Sequence, residues 1–440
     1  MKRRLLFIFS ILSLIGQNSF SQTTDFSQAS NYLDALFAHD KYMGTVYLSS
    51  EGNPVYSYSV GYADRDTGQK LETSTKFNIG SISKMFTSVL IFKSLEEGKI
   101  KLDQALSDFY PEIPNAEKIT IDQLLNHRSG IANFTDSPLY LTYFTTPKTE
   151  AELIQIISSG GSVFEPDSKA EYSNSNYILL TFILEKVNGK DFETLLEEKI
   201  TKPLGLSNTR VFDEINPSED EARSYEFRGG WILSPETDPS IPLGAGALQS
   251  NVEDLAKFIE SLFAGKLISE ESLQKMTEMK DGFGRGIFSF PYFEKRAFGH
   301  NGGIDGFQSL LGYFPDEKLT IVTLSNGMNW NANEVTLALL NTYFGKEVEI
   351  PSFETYDLDP AEIDQYLGVY TSEQIPLQFT FTKKNDALVV QATGQPEITL
   401  EPTAEHTFEF QQVGAVFIFN PEEKSLTFKQ GGGTFQYKKQ

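Results

Sequence analysis

Residues 77–87 read FNIGSISKMFT, and this stretch decides how the rest of the chain is interpreted. A β-branched and aromatic lead-in ends at Gly80. An apolar pattern of helical period then continues to Gly98, a residue type common at helix C-caps. The sequence therefore predicts a helix that opens at Ser81. Ser81 and Lys84 are three residues apart, so their side chains share one face of that helix and can meet.

This pair of side chains suits nucleophilic chemistry. A hydroxyl beside a partly desolvated amine can lose its proton to that amine. The first turn of a helix also offers unpaired N–H groups and the positive end of the dipole, and both stabilise the oxyanion that forms when Ser81 attacks a carbonyl. A simpler interpretation of S-x-x-K is that Ser81 is only an N-cap, and these residues alone do not exclude it.

The first 21 residues are typical of a secretory signal peptide. Three cations at residues 2–4 precede an apolar run over residues 5–15, and Ser19 and Ser21 have the spacing that a signal peptidase needs before Gln22. The apolar run is too short to span a bilayer, and no later run is long enough. We therefore expect an exported protein, periplasmic or extracellular, with no membrane span.

Composition excludes several classes of function. The chain has no cysteine, which excludes disulfides, thiolate chemistry and a lipid-modified N-terminal cysteine. The formal charge of −23 becomes −26 once the three cations of the signal peptide are removed, and so acidic a surface repels nucleic acid and anionic lipid. The four histidines are far apart and none has H-E-x-x-H spacing, so we do not expect a zinc site.

The order of patterned segments predicts an α+β fold in a chain long enough for two domains. The segments are a helix over 26–37, a hairpin over 44–63, the helix that opens at Ser81, a helical region over 102–192, a helix over 252–263, strands over 296–300, 308–314 and 319–325, and a helix over 333–344. We expect one antiparallel sheet completed by both chain ends, a helical subdomain on one side, and a substrate cleft between them. This domain is assigned to residues 22–346.

A different composition follows a linker over residues 347–362. Residues 363–440 consist of short alternating runs separated by turn signals, which predicts an all-β domain, a small barrel. It could cap the cleft, bind sugar or support dimerisation, and the sequence does not choose among these or give the oligomeric state.

A second stretch with polar groups suited to catalysis is EYSNSNY, residues 171–177, which precedes a helix expected to start at Ile178. The phenol of Tyr172 can relay a proton if a neighbouring cation lowers its pKa. The amide of Asn174 offers both a donor and an acceptor. Taken alone, the stretch is equally explained as a helix cap with a packed tyrosine.

A third stretch is FGHNGG, residues 298–303, at the end of an apolar strand. Glycines at this place let the backbone come close to a ligand, and the N–H of Gly303 can point into the site. Taken alone, Gly-Gly after a strand is usually a turn.

In order and context, the three stretches resemble the active-site serine hydrolases of the penicillin-binding-protein-like and class C β-lactamase superfamily. The resemblance extends over residues 44–344. Residues 124–131 (LLNHRSGI) resemble the family's L-L-x-H-x-S-G segment, residues 203–206 (PLGL) its P-L-G-M turn, and residues 247–255 (ALQSNVEDL) its segment ending S-x-x-D-L. The resemblance implies the β-lactamase/transpeptidase-like fold. The terminal β-domain resembles the lipocalin-like modules appended to D-aminopeptidases.

The resemblance implies catalytic roles for three residues. Ser81 would be the nucleophile, Lys84 the amine that helps to activate it, and Tyr172 the phenol that relays a proton to the leaving group. The reaction would pass through an acyl-enzyme on Ser81 that water hydrolyses. Whether Lys84 or Tyr172 is the base stays open. The resemblance implies no metal and no organic cofactor.

The resemblance also implies a set of substrate-binding groups. Asn174 would hold the substrate's acyl-side amide, and His300 would take the place of the usual Lys or His on the last strand. The N–H groups of Ser81 and Gly303 would form the oxyanion hole. Asn301 and Gly302 complete this third motif, and His127 would be structural.

Departures from the family pattern narrow the substrate. His-x-Gly at residues 300–302 resembles DD-peptidases, D-aminopeptidases and esterases more than β-lactamases, which usually carry Lys-Thr-Gly. Asn301 replaces the hydroxyl that helps to bind a free carboxylate. We therefore expect a hydrolase of D-amino-acid peptides, peptidoglycan fragments, or small esters and amides. The alternatives are a true β-lactamase and a penicillin-recognising binding or sensor protein without turnover.

Overall fold

The structure is a computed structural model that describes residues 24–351, 353, 356–430 and 433–440. The predicted signal peptide, residues 1–21, lies outside the described residues. Among those described, no helix combines the length and the apolar character needed to cross a bilayer.

Helices and strands mix along the first 350 residues, and strands dominate thereafter. The helices are α1 (Ser27–Ala38), α2 (Ser83–Glu96), α3 (Ile121–Leu125), α4 (Glu150–Gly160), α5 (Asn174–Asn188), α6 (Phe192–Leu196), α7 (Lys202–Leu204), α8 (Leu243–Gly246), α9 (Val252–Phe263), α10 (Glu270–Thr277) and α11 (Ala332–Tyr343). The strands of the larger domain are β1 (Tyr42–Ser50), β2 (Asn53–Val60), β3 (Tyr62–Asp64), β4 (Gln69–Lys70), β5 (Phe77–Asn78), β6 (Arg210–Val211), β7 (Tyr225–Phe227), β8 (Trp231–Leu233), β9 (Leu248–Ser250), β10 (Phe288–Tyr292), β11 (Lys295–Ile304), β12 (Phe307–Phe314) and β13 (Leu319–Met328). The strands of the smaller domain are β14 (Gly368–Thr371), β15 (Phe379–Lys384), β16 (Ala387–Ala392), β17 (Glu397–Thr399), β18 (Glu401–Ala404), β19 (Thr407–Phe410), β20 (Ala415–Asn420), β21 (Ser425–Gln430) and β22 (Gly433–Lys439).

One sheet organises the larger domain, with the strand order β10-β11-β12-β13-β1-β2. β1 pairs antiparallel with both β2 and β13. Its register with β13 runs from Tyr42 opposite Met328 to Ser50 opposite Leu319. The prediction that both ends of the domain complete one antiparallel sheet is therefore confirmed. The short β7 adds a single parallel bridge to β13.

Side chains cover both faces of this sheet. Val46 and Leu48 of β1 join a core that contains residues of α1 and α11, whereas Tyr47 joins the larger core that contains α2, α5 and α9. A strand buried on both faces loses the alternation of polar and apolar residues, and eight of the nine residues of β1 are buried.

The helical subdomain is present, but α5 begins earlier than expected. The sequence predicts its start at Ile178, whereas the helix begins at Asn174. The loop over residues 132–135 meets the polar first turn: the N–H of Asn174 donates to Asn133 Oδ1 (2.9 Å), and Ser175 Oγ accepts from the N–H of Phe134 (3.1 Å). Because tertiary contacts satisfy these groups, the helix does not need an apolar first turn.

The smaller domain is a nearly closed barrel. Its described residues form nine strands in the order β17-β16-β15-β14-β22-β21-β20-β19-β18. β17 and β18 are short, β18 contains Pro402, and the side chains of both strands are exposed or half-buried, so neither strand shows the alternating pattern from which the domain was predicted. The last helix of the larger domain ends at Tyr343 and β14 begins at Gly368, while the boundaries at 346/347 and 362/363 stay predictions.

Aromatic side chains fill the interior of the barrel. Phe381 is 1% exposed, and its ring lies 4.9–5.6 Å from the rings of Tyr370, Phe417 and Phe419. The space that a ligand would occupy in a hollow barrel is therefore occupied by the protein itself.

The smaller domain contacts the larger one at Gln412, whose Nε2 donates to Asn329 Oδ1 (3.1 Å).

Replacement of Phe381 by alanine should destabilise the barrel by about 3–5 kcal/mol, the usual cost of removing a buried phenylalanine. The rate at which the protein hydrolyses a small ester, the activity expected from the sequence, should change little. The residues that line the cleft beside Ser81 all lie between 80 and 308. Urea unfolding and ester turnover test this expectation. A loss of turnover under conditions where the larger domain stays folded would contradict it.

Candidate active site

Ser81 lies in a single 3-10 turn, Gly80–Ile82, that leads directly into α2. Gly80 has a φ of +50°, a conformation that glycine adopts without strain. The hydroxyl of Ser83 donates to the carbonyl of Gly80 (2.7 Å) and accepts from the N–H of Leu248 in β9 (3.1 Å). The turn is therefore fixed to a strand, and Ser81 sits at the helix start as predicted.

Lys84 is completely buried one turn further along the helix. Its Nζ donates to Ser81 Oγ (2.9 Å), Asn174 Oδ1 (2.8 Å) and the carbonyl of Ala245 (2.6 Å). These three partners would match the three donors of an ammonium, whereas an uncharged amine would donate to two of them and accept from the hydroxyl of Ser81. Burial holds the pKa of Lys84 well below its usual value, because removal from water disfavours the charged form.

Tyr172 approaches the same oxygen from the segment before α5. Its hydroxyl donates to Ser81 Oγ (2.7 Å), and the centre of its ring lies 4.9 Å from Lys84 Nζ. The structure thus brings the three residues together at one oxygen atom.

The expectation that a cation lowers the pKa of Tyr172 is wrong. Burial raises the pKa of this phenol above its usual value, although the hydrogen bond with Ser81 acts in the opposite direction. Desolvation outweighs the hydrogen bond, so Tyr172 is a neutral hydrogen-bond donor at physiological pH.

Two residues that the sequence did not indicate hold Asn174 in place. Its Nδ2 donates to Asn133 Oδ1 (3.2 Å) and Thr135 Oγ1 (3.1 Å), while its Oδ1 accepts from Lys84. The amide is thus oriented from both ends. Asn133 and Thr135 come from a loop about 40 residues before Asn174, and no sequence pattern linked that loop to the motif.

β11 and the nucleophile turn approach each other backbone to backbone. The motif that the sequence placed at a strand end lies inside β11, which continues to Ile304. A Cβ on Gly302 would lie 2.1 Å from the carbonyl oxygen of Ile79 and 3.0 Å from the N–H nitrogen of Ser81, and a Cβ on Gly80 would lie 2.8–2.9 Å from the backbone of Gly303. Only residues without side chains fit at these two positions.

His300 is buried beside Tyr172. Its ring lies 4.3 Å from Phe288 and 6.3 Å from Tyr172, and its Nδ1 lies 2.5 Å from the carbonyl oxygen of Asn301. Burial first, and then the positive charge of Lys84, lower the pKa of His300 to about 3. His300 is therefore uncharged at neutral pH, unlike a lysine at the same place.

His127 supports the tyrosine from the other side. Its Nδ1 accepts from the N–H of Ser173 (3.2 Å), and its ring packs against Tyr172 at 4.5 Å. Burial first, and then the positive charges that Lys84 and His300 carry when protonated, lower the pKa of His127 well below 6.5. This neutral ring positions Tyr172, in agreement with a structural role.

Ser81 opens onto a cleft of about 740 Å³ between the sheet edge and the helical subdomain. Asn174, Asn301, Gly302 and Gly303 also line this cleft. Asn301 is exposed, in contrast to the buried His300 before it. The predicted substrate-binding positions are therefore gathered around one space, apart from His300, which lies behind it.

A family model described as Beta-lactamase matches residues 34–343. The chain belongs to this family. Penicillin-binding protein 4* of Bacillus subtilis is 26% identical over 417 residues, covering 85% of this chain and 89% of that protein. The teichoic acid D-alanine hydrolase of Staphylococcus aureus is 26% identical over 301 residues, covering 67% of this chain and 72% of that protein.

A solved structure shows the same fold. The D-amino acid amidase of Ochrobactrum anthropi SV3 matches with a TM-score of 0.65 and 26% identity, covering 72% of this chain and 98% of that one. These likenesses confirm the β-lactamase/transpeptidase-like fold and a serine hydrolase of the penicillin-binding-protein-like superfamily.

Replacement of Gly302 by alanine should lower kcat/KM by about 100-fold, because the added Cβ forces β11 away from the nucleophile turn and misplaces reacting groups by about 1 Å. The matched control is Gly160→Ala at the end of α4, where the new Cβ would meet only Ala132 at 3.4 Å. Ester turnover and thermal unfolding are measured for both. Unchanged turnover in the Gly302 variant would refute the close approach.

The free energy of unfolding should decrease as the pH drops from 6.5 towards 3, in part because the pKa of His300 is lower in the folded chain than in the unfolded chain. Between those values the unfolded chain binds a proton on His300 that the folded chain does not, so acid favours unfolding. In His300→Gln, which is neutral throughout, the urea midpoint should fall less over this window than in the wild type. His39→Gln, at an exposed histidine, is the control. Equal pH slopes for wild type and His300→Gln would contradict the expectation.

Proposed function

We propose that this protein hydrolyses esters or amides through an acyl-enzyme on Ser81. The observation that carries the proposal is the double contact at one oxygen atom, where Lys84 Nζ and Tyr172 OH lie 2.9 and 2.7 Å from Ser81 Oγ. A protein that only binds a ligand has no need of a buried amine and a phenol on one serine hydroxyl, so this contact argues against the binding or sensor alternative.

The proposed reaction begins with attack of Ser81 Oγ on the substrate carbonyl, while the serine proton passes to the uncharged amine of Lys84. The carbonyl oxygen becomes an oxyanion held by the N–H groups of Ser81 and Gly303. Collapse of this intermediate breaks the bond to the leaving group, which takes a proton from Tyr172. Tyr172 regains a proton from Lys84. Water then attacks the ester on Ser81 and releases the acid.

Between the two candidate bases, we favour Lys84. Burial lowers the pKa of Lys84 and raises that of Tyr172, so burial favours the uncharged amine and disfavours the phenolate. A neutral amine is a competent base for a serine hydroxyl, whereas a protonated phenol is suited to donate to a leaving group. The two shifts thus support opposite tasks for the two groups.

The substrate class that we propose is D-amino-acid peptides, peptidoglycan fragments, or small D-aminoacyl esters and amides. Two relatives, named as a D-alanine hydrolase and a D-amino acid amidase, support this choice over β-lactams. The neutral His300 and the amide of Asn301 also provide no fixed positive charge for a free carboxylate. We further propose that the enzyme is exported, on the basis of residues 1–21.

Labelling tests the nucleophile. A fluorophosphonate or a fluorescent penicillin should modify the protein, and mass spectrometry should place the adduct on Ser81. Ser81→Ala should not be labelled, and its kcat for a p-nitrophenyl ester should be lower by at least about 1,000-fold. Heat-denatured protein controls for non-specific labelling. If neither probe labels Ser81, the proposed mechanism is wrong.

Relative rates on nitrocefin and on D-alanine p-nitroanilide distinguish the two hydrolase candidates. Faster turnover of nitrocefin would favour a true β-lactamase, whereas faster turnover of the D-alanine derivative supports the substrate class proposed above.

A further inference from the structure

A carboxylate that the reaction does not use lies in the same cleft as Ser81. Asp305 follows the last residue of β11, two residues beyond Gly303, and lines the cleft together with Thr237 and Glu226. Two residues of backbone span at most about 7 Å. Asp305 is therefore within reach of a substrate whose carbonyl oxygen is held at Gly303.

The direction of β11 indicates which part of the substrate meets Asp305. His300 precedes Gly303 in β11, and the centre of its ring lies 6.3 Å from the ring centre of Tyr172, the proposed proton donor to the leaving group. Asp305 follows Gly303 in the chain, immediately after the end of the strand. The leaving group therefore points towards His300, and the acyl part of the substrate extends towards Asp305.

The surrounding structure fixes the carboxylate in place. Thr237 donates to it twice, from its hydroxyl to Oδ1 (2.6 Å) and from its N–H to Oδ2 (3.2 Å). The next residue, Gly306, donates its N–H to Ser224 Oγ (3.2 Å), and a Cβ there would lie 2.7 Å from the backbone of Tyr225. Each carboxylate oxygen keeps a lone pair for another donor.

No cation of the protein neutralises this carboxylate within the described part of the chain. The nearby guanidinium of Arg228 is paired with Glu226 (2.6 Å), and the other charges that Asp305 senses, Glu226 and Glu236, are negative. Burial raises the pKa of Asp305 to about 6, so the group is mostly ionised at neutral pH. A buried carboxylate without a cation is unfavourable, and a cationic ligand would remove that penalty.

We propose that Asp305 binds a primary ammonium group on the acyl part of the substrate, so that the preferred substrates are aminoacyl amides or esters with a free amine. This inference rests on the proposed acyl-enzyme mechanism, and it assigns Asp305 to substrate selection. The shared chemistry is a primary ammonium, carried either on the α-carbon or at the end of a side chain.

The test uses two matched pairs of p-nitroanilides. D-Alanyl p-nitroanilide is compared with its 2-methylpropanoyl counterpart, in which a methyl replaces the α-ammonium. Nα-Acetyl-D-lysyl p-nitroanilide is compared with the D-norleucyl counterpart, which lacks the side-chain amine. The wild type should favour the ammonium member of at least one pair by about 10- to 100-fold in kcat/KM, the ratio expected for a charge-assisted hydrogen bond.

Asp305→Asn should remove this preference and leave kcat/KM for the neutral member within about threefold. Asparagine tolerates the left-handed conformation of this residue, where φ is +53°. Asp316→Asn, at an exposed carboxylate in the turn at the other end of β12, makes the same change of charge and should keep the preference. If Asp305→Asn does not fold, Asp305→Gly removes the carboxylate at a backbone position that glycine accepts.

The outcomes separate this inference from the mechanism on which it rests. Labelling of Ser81 with equal rates for the two members of both pairs would overturn the role of Asp305 alone. A preference that survives in Asp305→Asn, or an equal loss on charged and neutral substrates, would do the same. Absence of label and of all hydrolysis would instead overturn the acyl-enzyme mechanism.

Discussion

The burial of one amine governs the construction of this active site. Lys84 is fully buried, so its Nζ requires polar partners inside the protein, and these come from Ser81, Asn174 and Ala245. The three partners belong to the nucleophile turn, α5 and α8. Three elements far apart in the sequence must therefore converge before this side chain can be buried, and the cost of an unpaired buried amine keeps them together.

Glycine supplies the second constraint. The proposed oxyanion site uses two N–H groups from different segments, Ser81 and Gly303, so β11 must approach the nucleophile turn without intervening side chains. Gly80 and Gly302 make this approach possible, since a Cβ on either would meet backbone atoms. The amine and the glycines act together. The hydrogen bonds of Lys84 hold α5 and α8 against α2, and the absence of side chains at the glycines lets β11 lie next to the nucleophile turn.

Much of this arrangement was predictable from residue order. Helix spacing placed Ser81 and Lys84 on one face, alternation identified the main strands, and α9 has the predicted bounds Val252–Phe263. Long-range hydrogen bonds were not predictable. The partners of Asn174 lie in a loop of ordinary polar residues, and the start of α5 depends on that loop. The shift of the Tyr172 pKa depends on how deeply the ring is buried, which spacing does not reveal, and Asp305 occupies a turn that carries no pattern.

The pairing of β1 with β13 has a consequence for folding during synthesis. Paired residues of these two strands lie about 270 to 290 positions apart in the sequence. Closing so large a loop is slow compared with forming local contacts. While the ribosome is still making the middle of the chain, the central sheet lacks one of its inner members. The nascent polypeptide therefore cannot complete its core until synthesis has passed residue 328.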